Sequence, residues 1–130
     1  MTKDEHIEYW IKSSNEDFNI FELLFSNRKY VYSFFIAHLS IEKILKAHWV
    51  KNNKGNIPPK VHNLINLVKQ SKISLSKEQL KVLAQLNDFQ IQGRYPDYKF
   101  KINELLTEEF AESFVKQFLV LRKWLMDLIL

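Results

Sequence analysis

The 130-residue chain has no cysteine, two glycines and three prolines, and each shortage excludes a class of protein. Without cysteine there is no disulfide framework, no thiolate nucleophile and no cysteine-ligated zinc. Two distant glycines cannot build a phosphate-cradling P-loop or a dinucleotide-binding turn. So little glycine and proline also indicates long helices joined by few turns.

Long apolar runs are missing too. The first residues, "MTKDEHIEYW", are charged where a signal peptide requires an apolar segment. The most apolar stretch, "FLVLRKWLMDLIL", is interrupted by Arg122, Lys123 and Asp127, which a membrane span does not tolerate. We therefore expect a soluble cytoplasmic protein. With 46% hydrophobic residues, the chain is expected to form one domain over residues 1–130.

The spacing of the apolar residues predicts an all-α fold, an up-and-down antiparallel bundle of four main helices and a short one. Ser76 with Gln79 forms a capping-box pattern, and Thr107 before two glutamates marks the start of the last helix. The predicted helices cover residues 4–25, 29–52, a short segment from Val61, residues 76–91 before Gly93, and a last helix after Thr107. The last helix carries a predicted packing stripe of Phe110, Phe114, Phe118, Leu121, Leu125 and Leu128.

Charge is distributed unevenly along the chain. Residues 1–27 have a net charge of −4, residues 28–81 of +9, and residues 82–130 of −1. A positively charged middle third attracts polyanions or the acidic surface of a partner protein. The simpler interpretation is a lysine-rich face that only keeps the protein hydrated.

Two histidine-containing features are candidates for chemistry. His38, Glu42 and Lys46 follow one another at four-residue steps, so they share one face of the second predicted helix. They can poise the histidine for proton transfer or hold an anion through Lys46, or they can form a structural network between helices. His62, after two prolines, can instead donate to a loop carbonyl and fix the start of the third helix. No histidine has a glutamate three residues before it, so no metal site and no cofactor is predicted.

The segment "GRYPDYKFK" at residues 93–101 mixes cations with aromatic rings. Arg94 beside Tyr95 and Tyr98 suits stacking on bases and pairing with phosphate, and Asp97 lies between the two tyrosines. The alternative is a loop pinned by Pro96, in which Arg94 bridges carboxylates.

The stretches "AHLSIEKILKAHWVKNN", "PPKVHNLINLVK" and "GRYPD", in this order, resemble the HEPN family (higher eukaryotes and prokaryotes nucleotide-binding domain) over residues 5–128. The matching positions are Ala37, Glu42, Lys43, Lys46, Pro59, His62, Leu64, Arg94, Tyr95 and Pro96. The resemblance implies a bundle that pairs as a homodimer and works beside a nucleotidyltransferase-type partner, in toxin–antitoxin pairs among other settings. Together with the helix spacing and the cluster of cations and aromatic rings, the resemblance predicts a nucleotide or nucleic-acid site that comprises Arg94, Tyr95, Asp97, Tyr98, His38, Glu42, Lys46 and His62.

The sequence departs from the ribonuclease branch of that family, in which a histidine follows an arginine after four to six residues. No histidine follows Arg94 at this spacing, and none follows Arg28 or Arg122. General acid or base help is worth about 10²- to 10⁴-fold in rate. We therefore expect a binding module rather than an enzyme. The alternative is an endoribonuclease toxin with an altered active site, in which His38, His62 or Tyr98 replaces the missing histidine.

Overall fold

A computed structural model of the chain describes residues 1–94 and 106–130. The helices of these two segments are α1 Lys3–Ser26, α2 Tyr30–Asn52, α3 Leu64–Gln70, α4 Lys77–Arg94 and α5 Glu108–Ile129. The described segments contain no strand, so the predicted all-α bundle is confirmed. None of these helices combines the length and the apolar character needed to cross a membrane.

Side-chain caps explain why several helices begin where the pattern predicts. Ser76 Oγ accepts from the backbone N–H of Gln79 at 3.1 Å, while the Gln79 carboxamide accepts from the Ser76 N–H at 2.8 Å. Thr107 accepts from the N–H of Phe110 at 3.1 Å, and Thr2 forms a capping box at the start of α1. Each cap satisfies donors that the first helical turn leaves unpaired.

The start of α3 differs from its prediction. The helix begins at Leu64 rather than near Val61, because the Asn63 side chain caps it. Its Oδ1 accepts from the backbone N–H groups of Ile65 and Asn66, at 3.0 and 3.2 Å. The N–H of Leu64 itself donates to the Asn87 carboxamide of α4 at 3.0 Å. His62 therefore lies in the loop before the helix and does not fix its start.

Two other details of the predicted pattern are wrong. Helix α4 continues through Gly93 to Arg94 instead of ending near Ile91, since a single glycine inside a helix costs only about 1 kcal/mol. In α5 the central members of the predicted stripe are buried, but Phe110 and Leu128 at its two ends are exposed. At the two ends of α5 the neighbouring residues Ala111 and Ile129 are buried instead, so the packing seam is shifted by one residue there.

Helix α2 lies at the centre of the bundle and packs against the other four described helices. Its Phe34 ring is surrounded by the rings of Phe89 and Phe114, with centroids 4.9 and 5.0 Å away. The rings of Phe21 and Phe118 extend this aromatic core towards α1 and α5. Because nearly every side of α2 is covered, several of its polar side chains are buried as well.

Lys3 ties the first turn of α1 to the loop after α2. Its ammonium donates to the backbone carbonyls of Val50, Asn53 and Gly55 at 2.7, 2.8 and 3.0 Å. A cation at this position satisfies carbonyls that the C-terminal turn of α2 leaves unpaired and opposes the negative end of its dipole. The loop of residues 53–63 is thereby held against α1.

Candidate functional site

Glu42 is the centre of a polar cluster that also contains His38, Lys46 and His62, here called the Glu42 cluster. The carboxylate accepts from Lys46 Nζ at 3.1 Å through one oxygen and from His62 Nδ1 at 3.0 Å through the other. His38 Nδ1 lies 3.9 Å from this second oxygen. The side chains of His38, Glu42 and Lys46 are buried, whereas that of His62 is 55% exposed, so His62 is the part of the cluster open to solvent.

Three residues of this cluster come from one face of α2, and the fourth comes from the loop before α3. His38, Glu42 and Lys46 share one face of α2, as predicted, and Glu42 lies close to both of its helical neighbours. His62 reaches the same carboxylate from the loop before α3. An ionised carboxylate only accepts hydrogen bonds, so Nδ1 of His62 carries the donated proton, and Nε2 remains the acceptor of the neutral ring.

The buried ring of His38 is neutral at pH 7. Burial lowers its pKa to about 4, because the imidazolium is poorly solvated inside the bundle. The negative charge of Glu42, the Asn87 side chain and the backbone of His62 offset only part of this effect. Neither ring nitrogen has a partner at full hydrogen-bond geometry in the described part of the chain. His38 is thus a buried polar group that packing does not satisfy.

Two further residues join the cluster through other helices, and the sequence analysis missed both. The ring of Trp10 in α1 lies 5.3 Å from Lys46 Nζ, a cation–π distance. Asn87 of α4 faces His38 and also donates to the Asn63 side chain at 3.3 Å. No helical spacing connects them to α2, so only the packing of α1 and α4 against it shows their role.

Arg94 lies apart from the Glu42 cluster. Its guanidinium is 5.8 Å from the ring of Phe35, one turn before His38 on α2. Among the described residues, no hydrogen bond or ion pair joins Arg94 to the cluster or to a carboxylate. Arg94 follows Asn87 by seven residues, so both occupy the same side of α4, about 10 Å apart along its axis. The predicted site residues Tyr95, Asp97 and Tyr98 lie outside the described residues.

A second polar cluster, of Ser14, Asn15, Ser40 and Arg122, occupies the α1–α2–α5 side of the bundle and is here called the Arg122 cluster. Arg122 donates from Nε to Ser40 Oγ at 3.1 Å and from Nη2 to Asn15 Oδ1 at 2.7 Å, and its guanidinium lies 4.1 Å from the ring centroid of Phe18. Ser14 Oγ donates to the Ser40 carbonyl at 2.7 Å. Burial lowers the pKa of Arg122, and the charge of Glu22 offsets part of that. This cluster joins three helices.

The basic middle third of the chain faces solvent. Lys43 pairs with Asp17 at 2.7 Å and Lys46 with Glu42, but the other cations between residues 28 and 81 are exposed. The exposed cations are Arg28, Lys29, Lys51, Lys54, Lys60, Lys69, Lys72, Lys77 and Lys81. The described residues include no group of three or more histidine, aspartate or glutamate side chains placed to hold a metal ion. The exposed cations Lys54 and Lys60, in the loop that contains His62, make this surface suited to an anion.

The fold and the site define a class of protein: an all-α bundle with a polar centre on its second helix and a basic surface. The model of the HEPN domain family matches residues 7–128, nearly the whole chain, and the chain therefore belongs to this family. The resemblance drawn from the three sequence motifs is thereby confirmed. At the family level this supports a nucleotide- or RNA-related module, and HEPN domains commonly form dimers. No curated protein and no solved structure matches the chain.

Proposed function

We propose that this chain is a dimeric binding module for a nucleotide or a nucleic acid. The observation that carries the proposal is the exposed imidazole of His62, held by the buried carboxylate of Glu42 at the edge of a basic loop. The fixed imidazole accepts a hydrogen bond from a ribose hydroxyl at Nε2 without first having to be ordered. Arg94, exposed on the neighbouring face of α4, supplies a phosphate contact in this proposal.

The charge of the surrounding surface supports a polyanionic ligand. Lys54 and Lys60 lie in the same loop as His62, and both are exposed. Lysines that contact phosphates release counterions, so affinity falls steeply as the salt concentration rises. Binding to an acidic protein surface lacks the release of condensed counterions and gives a weaker salt dependence.

The test is a titration of the purified protein with labelled single-stranded RNA at two salt concentrations, with the RNA run on a gel afterwards. We expect salt-dependent binding and intact RNA. The double variant His62→Ala with Arg94→Ala is expected to bind at least about tenfold more weakly, the equivalent of one or two lost charged contacts. Lys116→Ala, which removes an exposed cation of α5, is the matched control. Equal affinities of the double variant and the control would exclude this site.

The dimer in this proposal forms through the outer face of α5. Val120, Trp124 and Leu128 follow one another at four-residue steps and are all exposed, Val120 by 72%. An apolar stripe of this kind on a helix surface favours protein contact. Val120→Glu is expected to convert a dimer to a monomer in light scattering, whereas Ala84→Glu on the exposed face of α4 leaves the mass unchanged.

The partner protein in this proposal is of the nucleotidyltransferase type, in a toxin–antitoxin-like pairing, which the family membership supports. The test is co-expression of the chain with a nucleotidyltransferase encoded beside it. We expect the two to elute together at a fixed ratio. Separate elution at micromolar concentration would contradict the pairing while leaving ligand binding untouched.

One observation favours the alternative function of an endoribonuclease with an altered site. The Glu42–His62 pair has the arrangement of a general base, a carboxylate that orients an imidazole whose other nitrogen is available. It would take the proton of a ribose 2′-hydroxyl in place of the histidine missing after Arg94. RNA cleavage that disappears in both His62→Gln and Arg94→Ala would support this function, and intact RNA after prolonged incubation would exclude it.

A further inference from the structure

Helix α1 carries two stripes of side chains, one turned towards the bundle and one turned away from it. The inward stripe includes Ser14, Phe18, Phe21 and Phe25, which are buried or packed against the core. The second stripe, here called the outer stripe, consists of Tyr9, Ser13, Glu16, Ile20 and Leu23. Its members are separated by four, three, four and three residues, which is the spacing of a seam between paired helices. Helix α1 therefore has a second surface on which another helix can pack.

The apolar members of the outer stripe are exposed. Tyr9 is 55%, Ile20 46% and Leu23 67% exposed, so no described element covers them. Single exposed apolar residues are common on protein surfaces, but these three follow one seam along about four turns of helix. A long and narrow apolar surface of this kind matches the apolar face of an amphipathic helix.

An apolar cavity of about 220 Å³ lies at the N-terminal end of the outer stripe. Tyr9 belongs to both, and the cavity wall also includes Trp10, Ile57 and Pro58. A cavity of about 150 Å³ with apolar walls admits a benzene ring, so this cavity has room for one large apolar side chain. Protein interfaces concentrate much of their binding energy in a few anchor side chains that fill such pockets. The cavity therefore gives a docked helix an anchor point.

The charge beside the outer stripe indicates which kind of helix it fits. Glu5, Glu8 and Glu16 are exposed on this side of α1, and Lys12 is the exposed cation between them. A surface with this excess of carboxylates attracts basic side chains and repels phosphate groups. It therefore favours a basic protein segment over RNA or an anionic lipid surface.

A second copy of this chain does not suit the outer stripe. In a two-fold dimer with Tyr9 of each copy on Leu23 of the other, the midpoint of the contact is Glu16. The two Glu16 carboxylates then face each other across the axis, and like charges in contact oppose association. A helix with a basic residue at this point avoids that repulsion.

We propose that the outer stripe of α1 is a docking surface for a basic amphipathic helix of a partner protein. One apolar side chain of that helix enters the cavity, others cover Ile20 and Leu23, and basic side chains lie beside Glu16. Lys54 and Lys60 lie in the loop at the cavity end, so the basic side chains are concentrated towards the other end. This inference goes beyond the proposed function, because it uses neither the Glu42 cluster nor the outer face of α5.

The test uses a fluorescent dye on the outer stripe. The chain has no cysteine, so Leu23→Cys creates a unique site for a dye that reports the polarity of its surroundings. The probes are two synthetic helical peptides with leucine at the a and d positions of each heptad, flanked by lysine in one peptide and by glutamate in the other. The like charges keep each peptide from pairing with itself.

We expect the lysine-flanked peptide to shift the dye emission to the blue and to bind at least about tenfold more tightly than the glutamate-flanked peptide. The same dye on Ile91→Cys is expected to give no shift. Ile91 lies on α4 and is 48% exposed, close to the 46% of Ile20, so it is a matched position outside the outer stripe.

Further variants separate the apolar contribution from the charge. The double variant Ile20→Ser with Leu23→Ser is expected to bind the lysine-flanked peptide at least about tenfold more weakly in calorimetric titration. Ile91→Ser is the matched control and is expected to bind like the unmodified chain. Glu16→Lys is expected to reduce the preference for the lysine-flanked peptide. All of these positions are exposed, so thermal unfolding is expected to show the midpoint of the unmodified chain.

The outcomes decide between the possible occupants of the outer stripe. Equal binding of the two peptides, no binding of either, or unchanged binding by the double variant would overturn the docking surface. A blue shift that follows protein concentration without any peptide would assign the outer stripe to a second copy and overturn the partner helix. None of these results bears on RNA binding, so the proposed function and this inference fail separately.

Discussion

The two polar clusters of α2 differ in how completely their groups are paired. In the Arg122 cluster, Arg122 donates to Ser40 and Asn15 and stacks on Phe18, and Ser14 bonds to the Ser40 backbone. In the Glu42 cluster, no described residue forms a hydrogen bond of full geometry with the buried ring of His38, and the His62 side chain is half-exposed to solvent. Both clusters lie on the same helix, so helix propensity cannot account for the difference.

The difference predicts a structural role for the Arg122 cluster and a binding role for the Glu42 cluster. A buried network whose members are all paired makes a helix junction specific and rigid. A buried polar group left without a partner costs about 1–3 kcal/mol, and proteins retain such costs mainly at functional sites. The paired cluster is therefore expected to control stability, and the open one is expected to control binding.

The largest expected effect comes from the carboxylate of the open cluster. Glu42→Gln leaves the buried ammonium of Lys46 without its counter-charge, and we expect a loss of about 4 kcal/mol in the free energy of unfolding. Asp17→Asn breaks the Lys43 ion pair, whose side chains are more exposed, and is expected to cost about 1 kcal/mol. Urea denaturation of both variants measures the difference, and equal losses would contradict the burial argument.

The second prediction concerns pH. His38 has a pKa of about 4 in the folded chain and 6.5 as its ordinary value, so between these values the unfolded chain binds a proton that the folded chain does not. The free energy of unfolding is therefore highest above pH 6.5, where His38 is neutral in both states. It falls by about 3 kcal/mol in total as the pH is lowered to about 4. His48, whose pKa burial also lowers, acts in the same direction.

Urea denaturation at several pH values between 7.5 and 4.5 measures this dependence. His38→Leu removes the titrating group and fills its site with an apolar side chain of similar reach. We expect the variant to lose less stability than the unmodified chain as the pH falls. An identical decline in both proteins would show that His38 does not carry the effect.

The third prediction concerns the paired cluster. Arg122→Met removes the two charged hydrogen bonds and the stacking on Phe18 while keeping an apolar chain, and we expect a loss of about 2 kcal/mol in the free energy of unfolding. Lys123→Met, at the next and exposed position, is expected to change stability by less than about 0.5 kcal/mol. RNA affinity should remain unchanged in both variants. A binding defect in Arg122→Met would remove the distinction between the clusters.

The smallest effects compare one residue from each cluster. Ser14→Ala deletes two buried hydrogen bonds, with the carbonyl and the hydroxyl of Ser40, and is expected to cost about 1 to 1.5 kcal/mol, with unchanged binding. His62→Gln keeps a polar side chain at a half-exposed position and is expected to cost under about 0.5 kcal/mol while it weakens nucleotide binding. Thermal unfolding measures the stability of the two variants, and calorimetric titration measures their affinity for the nucleotide. The opposite pattern would reverse the roles assigned to the clusters.

The amino-acid sequence by itself determined the features that depend on neighbours within one helical turn. The caps at Ser76 and Thr107 and the shared face of His38, Glu42 and Lys46 follow from spacings of three and four residues, which the geometry of the helix converts directly into contacts. The order of the motifs was enough to indicate the HEPN family.

Only the tertiary structure decided which distant groups meet. His62 and Glu42 are 20 residues apart, and Arg122 and Ser40 are 82 apart, so their hydrogen bonds depend on how whole helices pack and where a loop crosses them. The same packing brings Trp10 to Lys46. Local spacing carries no information about such contacts, because they arise from the burial of apolar faces that many arrangements of the same helices can satisfy.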